Sequence, residues 1–151
     1  MNMKHVKWVG ILVVVVSVVL ALVLAAKTGT KSPIYVEGEV ELPDALVQEA
    51  VGMSHLFIIV FDQDSPIPMP YGAQRESIDL AKTRKFHFVA TKESLRTMDE
   101  NRPQPKTLRV KVRLDKDGTA GPDQPGDLVG IVENIPWGTE GIVIPLSKEV
   151  K

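Results

Sequence analysis

The chain has 151 residues, 18 of them Lys or Arg and 19 Asp or Glu, and none is cysteine. That length holds one domain of ordinary size, and the lack of cysteine excludes disulfides, thiolate metal sites, cysteine nucleophiles and iron–sulfur clusters. A hydrophobic share of 44% with 25% charged residues belongs to a chain that folds, which excludes global disorder.

The apolar residues are spread unevenly. Trp8 to Ala26 is a run of 19 residues without a charge, interrupted only by Gly10 and Ser17. At about 1.5 Å per residue a helix of that length crosses a hydrocarbon core, so residues 8–26 are expected to form a single N-terminal transmembrane helix. Lys4 and Lys7 before the run and Ala25 or Ala26 at its end also suit a cleaved secretory signal, although the run is longer than such signals usually are. Lys4 and Lys7 on one flank are matched by Lys27 and Lys31 on the other, which leaves the amino-terminal amine to settle orientation. A tail at 1–7 and a domain after the helix fit a signal-anchor with its tail in the cytoplasm. Residues 27–33 are small and polar and read as a linker. The domain then occupies 34–151, with no internal repeat.

Within the domain the periods are those of strands. Ile34 to Leu42 alternates, with Val36, Gly38, Val40 and Leu42 on one side and Glu37, Glu39 and Glu41 on the other, the pattern of a half-buried strand. Asp44 is placed to cap one short helix running to about Val51, with Gly52 as its stop. His55 to Phe61 is β-branched and aromatic without alternation, as expected of a central strand buried on both faces. Pro66, Pro68 and Pro70 alternate with Ile67 and Met69. This segment forbids helix and reads as an extended edge or polyproline-like loop. Tyr71–Ile78, Phe86–Ala90 and Leu108–Leu114 follow as strands, the last with Arg109, Lys111 and Arg113 pointing outward. Gly118 supplies a positive-φ turn, Thr119 to Gly126 is loop, and Leu128–Val132 and Gly141–Leu146 are the final strands, with a turn over Asn134 to Glu140. The fold class expected is mainly β, a small antiparallel β-sandwich or barrel with one short helix.

Charge is segregated along the chain. Seven acids and no Lys or Arg lie between Glu37 and Asp64, whereas ten basic residues against three acids lie between Lys82 and Arg113. This reads either as a basic face for an anionic partner or as internal neutralisation, the glutamates of one strand lying cross-strand from Arg109, Lys111 and Arg113. Nucleic acid is not the expected partner, because the net charge is −1 and no aromatic residues interleave the basic ones along the chain. Of the histidines, His5, His55 and His87, none has a metal-ligand spacing. Ser54-His55 is too local for a nucleophile and base, and neither a Gly-x-Ser-x-Gly nor a phosphate loop occurs. Heme ligation by His87 or Met69 is the one cofactor alternative; the expectation is a non-catalytic protein without cofactor.

The candidate surface is Pro66, Pro68, Met69, Pro70 and Tyr71, with Arg109, Lys111 and Arg113 as a charged alternative. The prolines equally suit an edge strand protected from aggregation.

Order and spacing carry a family resemblance. Gly38-x-Val40-x-Leu42, Leu56-Phe57-Ile58-Ile59-Val60-Phe61, Pro66-Ile67-Pro68-Met69-Pro70 followed by Ala73-Gln74-Arg75, Val110 to Ala120, and Pro125-Gly126-Asp127-Leu128-Val129-Gly130 are together similar to the C-terminal periplasmic domain of the c-type cytochrome biogenesis CcmI/CycH family. The resemblance covers Tyr35 to about Ile144 and departs from the family pattern at Ala81–Met98 and Asn101–Lys106. It implies an assembly factor or scaffold in the bacterial inner membrane, its domain in the periplasm, that binds apocytochrome c or the maturation proteins of the heme lyase complex. Family members commonly carry two membrane helices and tetratricopeptide repeats, whereas this chain is expected to have one helix and no room for repeats, so an accessory role is expected. A generic anchored binding module of transport or envelope assembly is the rival.

Overall fold

The structure, a computed structural model, describes residues 32–97, 99 and 101–148; the expected tail, the expected membrane helix and the expected linker as far as residue 31 lie outside the described residues. The domain is mainly β. Its strands are β1 (Ile34–Glu41), β2 (His55–Asp62), β3 (Pro70–Ser77), β4 (Lys85–Thr91), β5 (Thr107–Asp115), β6 (Leu128–Pro136), β7 (Thr139–Pro145) and β8 (Ser147–Lys148). Two sheets result, a three-stranded one in the order β4-β1-β7 and a five-stranded one in the order β3-β2-β5-β6-β8.

Alternation decides which side chains meet between the sheets. Val36 and Val40 of β1, Phe86 and Phe88 of β4 and Ile144 of β7 join Leu56, Ile58 and Val60 of β2 and Leu108, Val110, Val112 and Leu114 of β5 in one buried cluster. Full burial of each such side chain contributes about 1.5–3 kcal/mol, and this shared core holds the two sheets as one body.

Several expectations need correction. The sheets are not wholly antiparallel, because β1 and β7 pair in parallel, Gly38 facing Ile142 and Val40 facing Ile144. The reason is the turn after β6. Trp137 N–H donates to Lys106 O and Gly138 N–H to Tyr35 O at 2.8 Å, which starts β7 beside the start of β1, and both then run the same way. A Cβ on Gly38 would lie 2.5 Å from Ile142 O, so only glycine permits this approach.

The helix expected over Asp44–Val51 is a single 3-10 turn at Asp44–Leu46, since Pro43 offers no capping side chain and the apolar residues of the segment serve a turn instead. The turn expected over Asn134–Glu140 is shorter. β6 continues to Pro136 because Asn134, at φ 57°, makes a bulge inside the strand, a conformation that asparagine tolerates.

The glutamates of β1 do not face the basic residues of β5. β1 pairs with β4 and β7, β5 with β2 and β6. Glu39 and Glu41 instead hold Lys85 Nζ at 3.1 and 2.5 Å, and Glu37 lies 3.4 Å from His87 Nε2. These contacts are exposed and each contributes little.

Two of the four edge strands, β4 and β3, are guarded. On β4, Thr83 Oγ1 bonds Lys85 N–H and C=O, and Ser94 Oγ bonds Val89 O and Thr91 N–H. On β3, Ala73 and Arg96 exchange two main-chain bonds. Local partners thus consume groups that would otherwise recruit a strand.

Candidate functional site

The two candidate surfaces meet on the five-stranded sheet, on the face turned away from the core. Pro70 of β3 pairs with Phe61 of β2, and Phe61 pairs with Arg109 of β5. The proline segment therefore forms a lip at the end of the sheet where Arg109 lies.

In the lip, Pro66 and Pro68 are exposed, as are Ile67 at 58% and Met69 at 45%. Met69 N–H donates to Ile67 O at 2.8 Å and Ser65 Oγ donates to the same oxygen at 3.1 Å, while proline fixes φ on either side. Arg102 Nη1 donates to Pro70 O at 2.8 Å and its guanidinium carbon lies 5.7 Å from the centre of the Tyr71 ring. Between lip and Arg102 lies a cleft of about 340 Å³ lined by Asp62, Ser65, Ile67, Met69, Asp99, Arg102 and Pro103. Tyr71 itself is turned inward. Its ring stands edge-on to Trp137 at 5.8 Å and to Tyr35 at 6.0 Å, and Tyr35 lies 4.0 Å from Trp137. Burial, then the nearby Tyr71 and Glu93 charges and a hydrogen bond with Tyr71, push the Tyr35 phenol above its ordinary value. Tyr71 thus joins the core edge and not the exposed surface.

Beyond the lip, cations and aromatics alternate across the strands. Arg109 lies 4.4 Å over the Phe61 ring and Arg113 4.8 Å over the Phe57 ring, contacts worth about 0.5–1 kcal/mol when exposed and ~2 kcal/mol or more when dry. Lys111 sits between Ile59 of β2 and Ile131 of β6. The interleaving that the linear sequence lacks is supplied by the neighbouring strand. Phe57 and Phe61 on one face of β2 explain why His55–Phe61 shows no alternation: arginine side chains, and not a second core, cover that face.

Arg113 does not point into solvent as expected. It is 1% exposed, because the loop 116–127 folds back over it. Its Nη1 donates to Gly121 O at 2.6 Å and its Nη2 to Thr119 O at 3.0 Å. Carboxylates of Asp115, Asp123 and Asp127 surround it at 3.1, 3.6 and 3.7 Å, and Asp123 also holds Lys111 Nζ. Asp115 Oδ1 in turn accepts the N–H groups of Asp117 and Gly118, with Gly118 at φ 72°, so the loop is tied at its first turn. Asp117 accepts Thr119 N–H at 2.8 Å, the first cause holding its carboxyl below the usual range.

Of the three basic residues singled out on β5, then, Arg113 is sealed, whereas Arg109 and Lys111 are both half-covered. Beside the loop runs a groove of about 600 Å³, lined by Lys111, Asp123, Val129, Gly130, Ile131, Pro145, Leu146, Ser147 and Lys148, with Ile131 54% exposed. Sequence reasoning missed Phe61, Ile59 and Ile131. The signal lay in the period of two in Phe57, Ile59 and Phe61, legible only once β2 and β5 are known to be neighbours.

The histidines stand apart. Ser54 Oγ lies 3.1 Å from His55 Nδ1, and His87 meets Glu37; no third group extends either pair among the described residues, where no cluster of metal-ligating side chains occurs. Also among the described residues, no helix is long and apolar enough to cross a membrane. No family model, no curated protein and no solved structure matches the chain.

Proposed function

We propose that this chain is a non-catalytic, membrane-anchored binding module that serves c-type cytochrome maturation as a scaffold or accessory factor in the bacterial inner membrane. Its β domain, a sandwich of the two sheets, stands in the periplasm and engages apocytochrome c or the proteins of the heme lyase complex. The observation that carries the binding role is the outer face of the five-stranded sheet, where Arg109 lies over Phe61 and the exposed Ile131, with Lys111, lines an open groove. An apolar centre with arginine and aromatic side chains is the composition of a protein contact. The cytochrome setting is supported by the order of the Gly38, Leu56–Phe61, Pro66–Pro70, Val110–Ala120 and Pro125–Gly130 segments, which resembles the CcmI/CycH family. The membrane anchor is supported by the uncharged run Trp8–Ala26.

The test is capture of apocytochrome c from detergent-solubilised membranes by the tagged full chain. Capture is expected, and Arg109→Glu combined with Ile131→Asp, at a half-buried and an exposed position of the outer face, is expected to lower it at least tenfold without changing the circular dichroism spectrum. Equal capture by the folded double variant would remove this face from the account, and no capture by the unaltered chain would remove apocytochrome as the partner.

A further inference from the structure

We propose that the lip carrying Ile67 and Met69 docks on the bilayer surface, the lipid interface being its occupant; the inference rests on reading 8–26 as a membrane anchor. β1 begins at Ile34, close to the first described residue, Ser32. Strand directions then place the lip at that same end. Ile34 faces Thr91 at the finish of β4, and Val36 faces Thr139 at the start of β7. In the other sheet, the finish of β2 faces the starts of β3 and β5. The ring contacts of Tyr35 with Tyr71 and Trp137 tie the two sheets together there. The chain therefore enters the domain at the end from which Ile67 and Met69 project.

Residues 27–33 span at most about 25 Å fully extended, which is the upper limit that chain length sets on the separation of an anchor at 8–26 from the start of the domain. Within that distance a tether makes weak insertion effective through local concentration. The surface offered has the composition of an interfacial contact: exposed Ile67 and Met69 on a proline-stiffened turn, with Trp137 and Tyr71 half-buried behind them, the ring types that favour the headgroup level. Cations at this end are Lys92, Arg96, Arg102, Lys106 and Arg109. They are balanced by Asp62, Asp64, Glu93, Asp99 and Glu140. Balanced charge gives little pull toward anionic headgroups, so the apolar side chains decide the contact and added salt has little effect.

A chain without cysteine admits single labels cleanly. Met69→Cys at the lip and Ala45→Cys at the far end of β1, each spin-labelled in the full chain, are to be compared on vesicles of phosphatidylethanolamine and phosphatidylglycerol. Expected is a several-fold higher ratio of oxygen to nickel-chelate accessibility at Met69 than at Ala45, unchanged in 0.5 M salt. Equal, aqueous ratios in a chain that floats with the vesicles would overturn docking and leave the anchor standing. A chain that fails to float would overturn both. A difference abolished by salt would replace apolar insertion with headgroup attraction and overturn the proposal as stated.

Discussion

Replacing Arg113 with methionine is expected to destabilise the domain by about 3–5 kcal/mol, the range for removing one partner of a buried ion pair. The guanidinium is sealed from water, and it is the common partner of Asp115, Asp123, Asp127 and the carbonyls of Thr119 and Gly121. Without it, Asp115 and Asp127, 2% and 4% exposed, are left as buried carboxylates lacking their counter-charge, and the loop 116–127 loses what fastens it to the sheet. Arg113→Lys is expected to recover only part of the loss, because an ammonium supplies no planar fork for two carbonyls. Urea unfolding reads the free energy, and proteolysis within 116–127 reads the loop. A loss of no more than ~1 kcal/mol, as for an exposed pair, would show that the loop is held by something else.

Gly38→Val is expected to cost about 3 kcal/mol, the upper part of the range for overpacking, and to act on one pairing in particular. The added Cβ would lie 2.5 Å from both Ile142 Cγ1 and Ile142 O. One of these atoms belongs to the backbone, so no rotamer change relieves the clash. β7 must move away from β1, and amide hydrogen exchange in β7 should rise more than in β2 or β5. Uniform acceleration over both sheets, or none, would contradict the parallel pair as the point of contact.

These two positions also mark what the linear sequence discloses and what it conceals. The strands were legible wherever one face is wet and the other dry, as in Val36 to Leu42, in Phe86 and Phe88, and in Leu108 to Leu114, because alternation reports burial directly. Partnership between strands was not. That β1 lies between β4 and β7 follows from Gly38 admitting Ile142 and from Gly138 bonding Tyr35 O, contacts more than 100 residues apart along the chain. The same blindness affected the candidate site. Arg109, Lys111 and Arg113 look alike in sequence, and only the fold of the loop 116–127 sorts them into two half-covered and one sealed. The Asp-Lys-Asp-Gly turn announced a loop, but not that its carbonyls and carboxylates would close on an arginine two residues upstream. Proline spacing did identify the lip, since fixed φ and missing donors act locally, whereas Tyr71, next in sequence, was drawn to Tyr35 and Trp137 by packing that sequence order does not display.

The most direct measurement of the central claim, contact through the outer face of the five-stranded sheet, is photo-crosslinking in native membranes from a benzophenone side chain placed at Ile131, with Val143 on the other sheet, 50% exposed, as the reference. The account predicts adducts with apocytochrome c or heme lyase components from Ile131 and few from Val143. Adducts with those proteins from Val143 alone would contradict it.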